Sequence, residues 1–135
     1  MKSVDEMIAE ARETITEHTP AEALRLQLEE GAVIVDIRDV RELQREGVIP
    51  GAIHAPRGML EFWVDPQSPY HRPVFAEDRE FILQCASGWR TALSAKTLGD
   101  MGMTNVSHIV GGFGAWRDDG LGVETHDEWK AAATA

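Results

Sequence analysis

The stretch Phe81, Ile82, Leu83, Gln84, Cys85, Ala86, Ser87, Gly88, Trp89, Arg90 runs from a largely apolar segment into the only cysteine of the chain, then through small residues to an arginine. Helix formers follow from about Thr91. The order reads as a buried strand, a short loop and a helix. A strand feeding a helix in this way is the unit of a parallel sheet, and in such sheets the functional crevice lies at the carboxyl ends of the strands, where Cys85 falls. A lone cysteine closing an apolar strand is ordinarily a small, inert hydrophobe. The loop argues for more. Ala86, Ser87 and Gly88 are small enough for successive backbone N–H groups to turn inward around one point, and Arg90 adds a fixed positive charge. A helix N-terminus and a guanidinium are the features that lower a thiol pKa and make it a nucleophile.

Outward from this unit, helix and strand signals alternate. Ser3 with Glu6 forms a capping-box pattern, and Val4, Met7, Ile8, Ala11 and Ile15 recur at helical spacing, which predicts an amphipathic helix from residue 3 to about 13. Thr19, Pro20 and Glu22 start a second helix that Gly31 stops. Val33, Ile34 and Val35 form an unalternating β-branched run, as in a strand covered on both faces, and the chain leaves the sheet between Asp36 and Asp39. Asp39 with Glu42 opens a short helix that ends at Gly47, and Ala52 and Ile53 form a brief strand after the turn at Pro50 and Gly51. Residues 57–73 hold three prolines together with Phe62, Trp63, Tyr70, His71 and Arg72. They predict a partly irregular connection with aromatic packing of its own. Thr91 to Met101 continues as helix, Val106 to Val110 as the last strand, and a turn at Gly111 and Gly112 leads into a helix that carries Trp116.

Composition bounds the function. With 135 residues, 43% of them hydrophobic, the chain makes one globular domain with a substantial core. A formal net charge of −10 argues against nucleic acid or an anionic membrane as partner. An acidic protein binds a small anion only where local dipoles and a few cations outweigh the overall field, which points back to the loop between Cys85 and Arg90. No apolar stretch is long enough to span a bilayer, and residues 1–6 lack the hydrophobic segment of a signal peptide, so a cytoplasmic location is expected. A single cysteine excludes an internal disulfide. No cluster of histidines and acidic residues at ligand spacing appears, and neither metal nor cofactor is expected.

Four blocks carry a resemblance. Val35 to Arg38, Gly47 to Pro56, Cys85 to Arg90, and Gly111 to Trp116 look like the motif blocks of the rhodanese-like domain family and occur in that family's order. The resemblance runs from about Thr19 to Trp116. It implies a three-layer α/β fold with a central, mainly parallel five-stranded sheet and helices on both faces. The organisation expected is a helical extension over residues 1–18, the rhodanese-like domain over 19–125 and a C-terminal tail over 126–135. In the family a loop cysteine takes the sulfane sulfur of a donor such as thiosulfate as a persulfide and passes it to a thiol or cyanide. By position, Cys85 is the expected nucleophile. Ala86, Ser87, Gly88, Trp89 and Arg90 are expected to form the loop that holds the persulfide, with Arg90 on the donor's anionic group.

Asp36 and Arg38 match a family pair that supports the edge of the site, and His54 stands where it can reach the site from the end of its strand. The family often has histidine where this chain has Val48. Trp89 is read either as a wall of the pocket or as a cover packed on Phe113 or Trp63. The expected partners are a small sulfur-containing anion as donor and a thiol or protein sulfur acceptor. Two other readings stand beside sulfur transfer: a phosphatase or arsenate reductase using the same cysteine and arginine, and a non-catalytic binding module. Tyrosine phosphatases place one more residue between the two than the four found here, and the shorter ring suits a sulfur atom better than a tetrahedral phosphate.

Overall fold

The computed structural model describes residues 1–134. Its elements in chain order are α1 (Val4–Arg12), β1 (Thr16–His18), α2 (Pro20–Glu29), β2 (Val33–Asp36), α3 (Val40–Glu46), β3 (Ile53–His54), α4 (Leu60–Val64), β4 (Phe81–Gln84), α5 (Trp89–Asp100), β5 (Val106–Ile109), α6 (Gly112–Asp118) and α7 (His126–Thr134). The strands form one five-stranded sheet in the order β1-β5-β4-β2-β3, and every pairing is parallel. The cysteine-bearing strand β4 is therefore central, paired with β2 on one side and β5 on the other.

Successive side chains on a strand point to opposite faces, and the sheet is buried on both. Val33, Val35, Phe81 and Leu83 pack on one face with Leu60, Ala95 and Leu98 of α4 and α5. Ile34, Ile82 and Ile109 pack on the other with Ala23, Leu43, Phe113 and Trp116 of α2, α3 and α6. The α/β architecture with helices on both faces is the one the sequence predicts.

The helix starts follow their capping residues. Ser3 and Thr19 accept from the backbone of Glu6 and Glu22. The Asp39 and Glu42 capping box is complete. The brief third strand is displaced by one residue from the expected Ala52 and Ile53, because the Ala52 N–H donates to the Ile49 carbonyl and so closes the preceding turn. Residues 57–73 are partly irregular, as predicted: a 3-10 turn over Arg57–Met59 runs directly into α4, and residues 65–72 then form no helix or strand.

Two elements were not anticipated. Within residues 1–18, expected to be a helical extension, α1 ends at Arg12 and β1 adds an edge strand whose residues Thr16, Glu17 and His18 register with Ser107, His108 and Ile109. Within residues 126–135, expected to be a tail, α7 packs on α3, and the indole of Trp129 donates to the Ala52 carbonyl at 2.6 Å. Among the described residues no helix is long and apolar enough to cross a membrane.

Candidate active site

Cys85 follows the last residue of β4 and is 1% exposed. The loop behind it closes at Gly88, whose φ of +88° lies in the left-handed region, and α5 begins at Trp89, two residues earlier than the sequence predicts. This tight turn lets the Gly88 N–H point back to Cys85 Sγ at 3.3 Å. The sulfur thus lies at the N-terminal end of a 12-residue helix, where unpaired amides and the helix dipole favour negative charge.

The back of the loop rests on α6. Phe113 N–H donates to the Cys85 carbonyl at 2.7 Å, and Gly114 N–H donates to the Ala86 carbonyl at 3.1 Å. This approach needs glycine at 112, since a Cβ there would stand about 2.8 Å from the Ala86 carbonyl carbon and closer still to the Cys85 carbonyl oxygen. The side-chain amide of Gln84 also donates to the Cys85 carbonyl. The cysteine backbone is held from two sides.

Arg90 stands at the first turn of α5 and donates from both terminal nitrogens to Glu42, at 2.8 and 3.0 Å. Glu42 was anticipated only as the capping residue of α3, which it also is. The Arg90 hydrogen bond holds the Glu42 carboxyl below the usual carboxylate range, and Glu42 in turn raises Arg90. The field of Arg90 also reaches Cys85 and Asp36.

Asp36 and Arg38 are 0% and 1% exposed and form a buried ion pair at the end of β2. Arg38 Nη2 donates to Asp36 at 2.8 Å and to the Gly47 carbonyl at 2.8 Å, and the guanidinium lies 4.3 Å from the centre of the Phe113 ring. The pair joins the end of β2 to α3 and α6. His54 Nε2 donates to the Arg38 carbonyl at 2.7 Å, so this ring steadies the same corner. Trp89 is 67% exposed on the rim of the loop. It covers neither Phe113 nor Trp63, which lie under Arg38 and Arg72.

On the other side of the sulfur is a polar set absent from the sequence reading. Cys85 Sγ lies 3.6 Å from Thr91 Oγ1, which is 2.8 Å from His108 Nδ1. His108 Nε2 is 2.8 Å from Glu17, and Glu17 accepts from Arg12 Nε at 2.9 Å. Two signs of this set were visible: Thr91 directly follows Arg90, and His108 interrupts an apolar strand. Among the described residues no group of three or more His, Cys, Asp and Glu side chains is placed to share a metal ion.

The site chemistry is therefore that of a single thiol at a helix N-terminus, flanked by a guanidinium and a buried hydrogen-bonded histidine. The model of the rhodanese-like domain matches residues 19–119. A thiosulfate sulfurtransferase, GlpE, from Actinobacillus pleuropneumoniae is 32% identical over 113 residues, covering 84% of this chain and 96% of that protein. A protein of Rhodopseudomonas palustris, described as of unknown function and a possible tyrosine phosphatase, superposes with a TM-score of 0.88 at 52% identity, covering 92% of this chain and 96% of that one. The polysulfide-sulfur transferase homodimer of Wolinella succinogenes superposes with a TM-score of 0.65 at 26% identity, covering 88% of this chain and 85% of that one. Four ordered motif blocks, an all-parallel sheet with the cysteine loop at its centre and these likenesses agree: the chain belongs to the rhodanese-like domain family.

Proposed function

We propose that the protein is a sulfurtransferase in which Cys85 carries sulfur as a persulfide between a small anionic donor, thiosulfate or a related polysulfide or persulfide, and an acceptor thiol or cyanide. The observation that carries this reading is the Gly88 N–H on Cys85 Sγ at the head of α5, which favours the thiolate over the thiol. With thiosulfate, the thiolate attacks the outer sulfur, the sulfur–sulfur bond of the donor breaks, and sulfite leaves with the bonding pair. The loop from Ala86 to Arg90 then surrounds the terminal sulfur anion. Acceptor attack on that sulfur returns the electron pair to Cys85 Sγ. Arg90 meets the donor's anionic group by sharing its charge with Glu42.

With one cysteine in the chain, no internal disulfide can discharge the persulfide, so the sulfur leaves to a second molecule. This suits a reducing compartment such as the cytoplasm, where acceptor thiols persist. The four-residue spacing between Cys85 and Arg90 favours sulfur over phosphate as the atom enclosed.

Incubation with thiosulfate followed by intact-mass measurement tests the reading. The expected result is one added sulfur that cyanide removes and that Cys85→Ser never acquires. No adduct on wild type sinks it. Hydrolysis of an aryl phosphate, lost in Cys85→Ser, would replace it with the phosphatase reading.

A further inference from the structure

The polar set behind Cys85 forms an unbroken chain from the sulfur to the surface. The Cys85 thiol, the Thr91 hydroxyl, both nitrogens of His108, the Glu17 carboxylate and Arg12 follow one another at 3.6, 2.8, 2.8 and 2.9 Å. Four elements supply it: Thr91 comes from α5, His108 from β5, Glu17 from β1 and Arg12 from the end of α1, the last two lying before the family-matched region. Register places it, since Glu17 of β1 is the direct neighbour of His108 on β5. His108 is 2% exposed. A cavity of about 100 Å³ lined by Arg12, Glu17, Gly88, Trp89 and His108 brings solvent to its far end.

Each link has a defined direction. Glu17 is an acceptor, so His108 Nε2 carries hydrogen, and in the neutral ring Nδ1 is then the acceptor. The Thr91 hydroxyl donates to Nδ1 and leaves a lone pair facing the thiol hydrogen. Protonation of Nδ1 reverses the chain: the ring donates to Thr91, and the Thr91 hydroxyl turns its hydrogen onto the sulfur. One arrangement suits a thiol with a neutral ring, the other a thiolate with an imidazolium.

Resting on the sulfurtransferase reading, we infer that Thr91, His108 and Glu17 are a proton relay that takes the Cys85 proton and keeps it inside the protein through the transfer cycle. The Cys85 S–H bond breaks as its proton passes to Thr91 Oγ1. The hydroxyl's own proton forms the new N–H bond at His108 Nδ1. Neither protons nor electrons enter or leave. The negative charge at Cys85 persists as thiolate and then as persulfide anion, so the imidazolium persists with it. Thr91 touches the reacting sulfur, whereas His108 and Glu17 are positioning residues that act through it.

The groups facing His108 agree with this cycle. Burial lowers its pKa, Glu17 works in the opposite sense, and Arg12 and His18 add to the lowering. The ring therefore remains neutral until an anion forms beside it. On the sulfur, the Gly88 N–H points at Sγ from 3.3 Å, a donor placed to accept the new charge.

The test is the pH titration of Cys85, followed by thiolate ultraviolet absorbance and by the rate of iodoacetamide labelling. As the chain has one cysteine, both report Cys85 alone. The midpoint, not the absolute rate, is read, because the sulfur is buried. Thr91→Val is expected to move the midpoint up by about one unit, a tenfold change in the thiol–thiolate equilibrium constant. Thr91→Ser is expected to titrate as wild type. Glu17→Gln keeps a hydrogen-bond acceptor but removes the charge, and is expected to shift the midpoint upward too. Should Thr91→Val fail to fold, Glu17→Gln at the partly exposed edge carries the test. Midpoints of the folded variants that coincide with wild type overturn the relay even if wild type takes sulfur from thiosulfate. A wild-type protein that acquires no sulfur overturns the sulfurtransferase reading by itself, whatever the midpoints show.

Discussion

Arg90 grips Glu42 through both terminal nitrogens, at 2.8 and 3.0 Å, so the arginine of the cysteine loop is already neutralised by a residue of α3. A donor anion meeting Arg90, as proposed, would compete with that carboxylate. The Arg90 side chain is 41% exposed, which limits the pair to about 1 kcal/mol, or roughly a fivefold effect. Glu42→Gln keeps an oxygen for the Asp39 N–H and weakens the grip. The expected outcome is a several-fold lower thiosulfate concentration for half-maximal persulfide formation in single-turnover mass measurements, with Arg90→Ala changing in the opposite direction.

The buried pair of Asp36 and Arg38 predicts a different outcome, in stability. Asp36→Asn leaves a guanidinium at 1% exposure with its carboxylate removed, and breaking such a pair costs about 3–5 kcal/mol. Urea unfolding should show a clearly lower midpoint with little change in slope. Substitution of His54 by Gln, which retains a donor for the Arg38 carbonyl, should cost far less.

Gly112 and Gly114 both lie under the cysteine loop but should respond unequally. Gly112 has a φ of +59°, and a Cβ there would collide with the backbone of Cys85 and Ala86, whereas at Gly114 the nearest atom would be Ala86 O at 3.6 Å. Gly112→Ala is expected to lose about 1–3 kcal/mol and to displace the loop. Gly114→Ala should leave both unfolding and persulfide formation near wild type. Paired thermal melts and sulfur-loading measurements would show the contrast.

The pH dependence of stability follows from His108 and Glu17. Burial lowers His108 in the folded protein, so below its unfolded pKa of about 6.5 the unfolded chain binds more protons than the folded one. Stability is therefore fully present above that pH and falls as the solution is acidified. Burial works to raise the Glu17 carboxyl, but the hydrogen bonds from His108 and Arg12 outweigh it and hold the carboxyl below its usual range. That adds a second loss, which sets in from about pH 4.5 downward. Melting temperatures should decline from about pH 6.5 downward, and His108→Gln should flatten the upper part of that decline.

The fold and the cysteine loop were legible where local chemistry sufficed. β4, the apolar β2 and the caps at Ser3, Thr19 and Asp39 are written in side-chain type and spacing. β1 was not, because Thr16, Glu17 and His18 are polar, only three residues long and strand-like solely through pairing with β5. The partners of the cysteine were hidden for the same reason. Glu42 is 48 residues from Arg90 and His108 is 91 from Glu17, so only the sheet order and helix packing bring them together. Trp89, read from sequence as either a wall of the pocket or a cover, stands exposed on the rim and lines the cavity beside Ser87 and Gly88.

The position of β4 between β2 and β5 has a consequence for motion. A central parallel strand is the part of a sheet that surrenders its amide hydrogens to deuterium last, because both neighbours must separate first. The Cys85 carbonyl is bound further, by the Phe113 amide of α6. Opening of the edge strands β1 and β3 would leave the pairing of β4 with β2 and β5 in place. In the proposed transfer, sulfur would enter and leave past side chains at the rim, while the backbone that carries Cys85 is expected to be among the last to exchange.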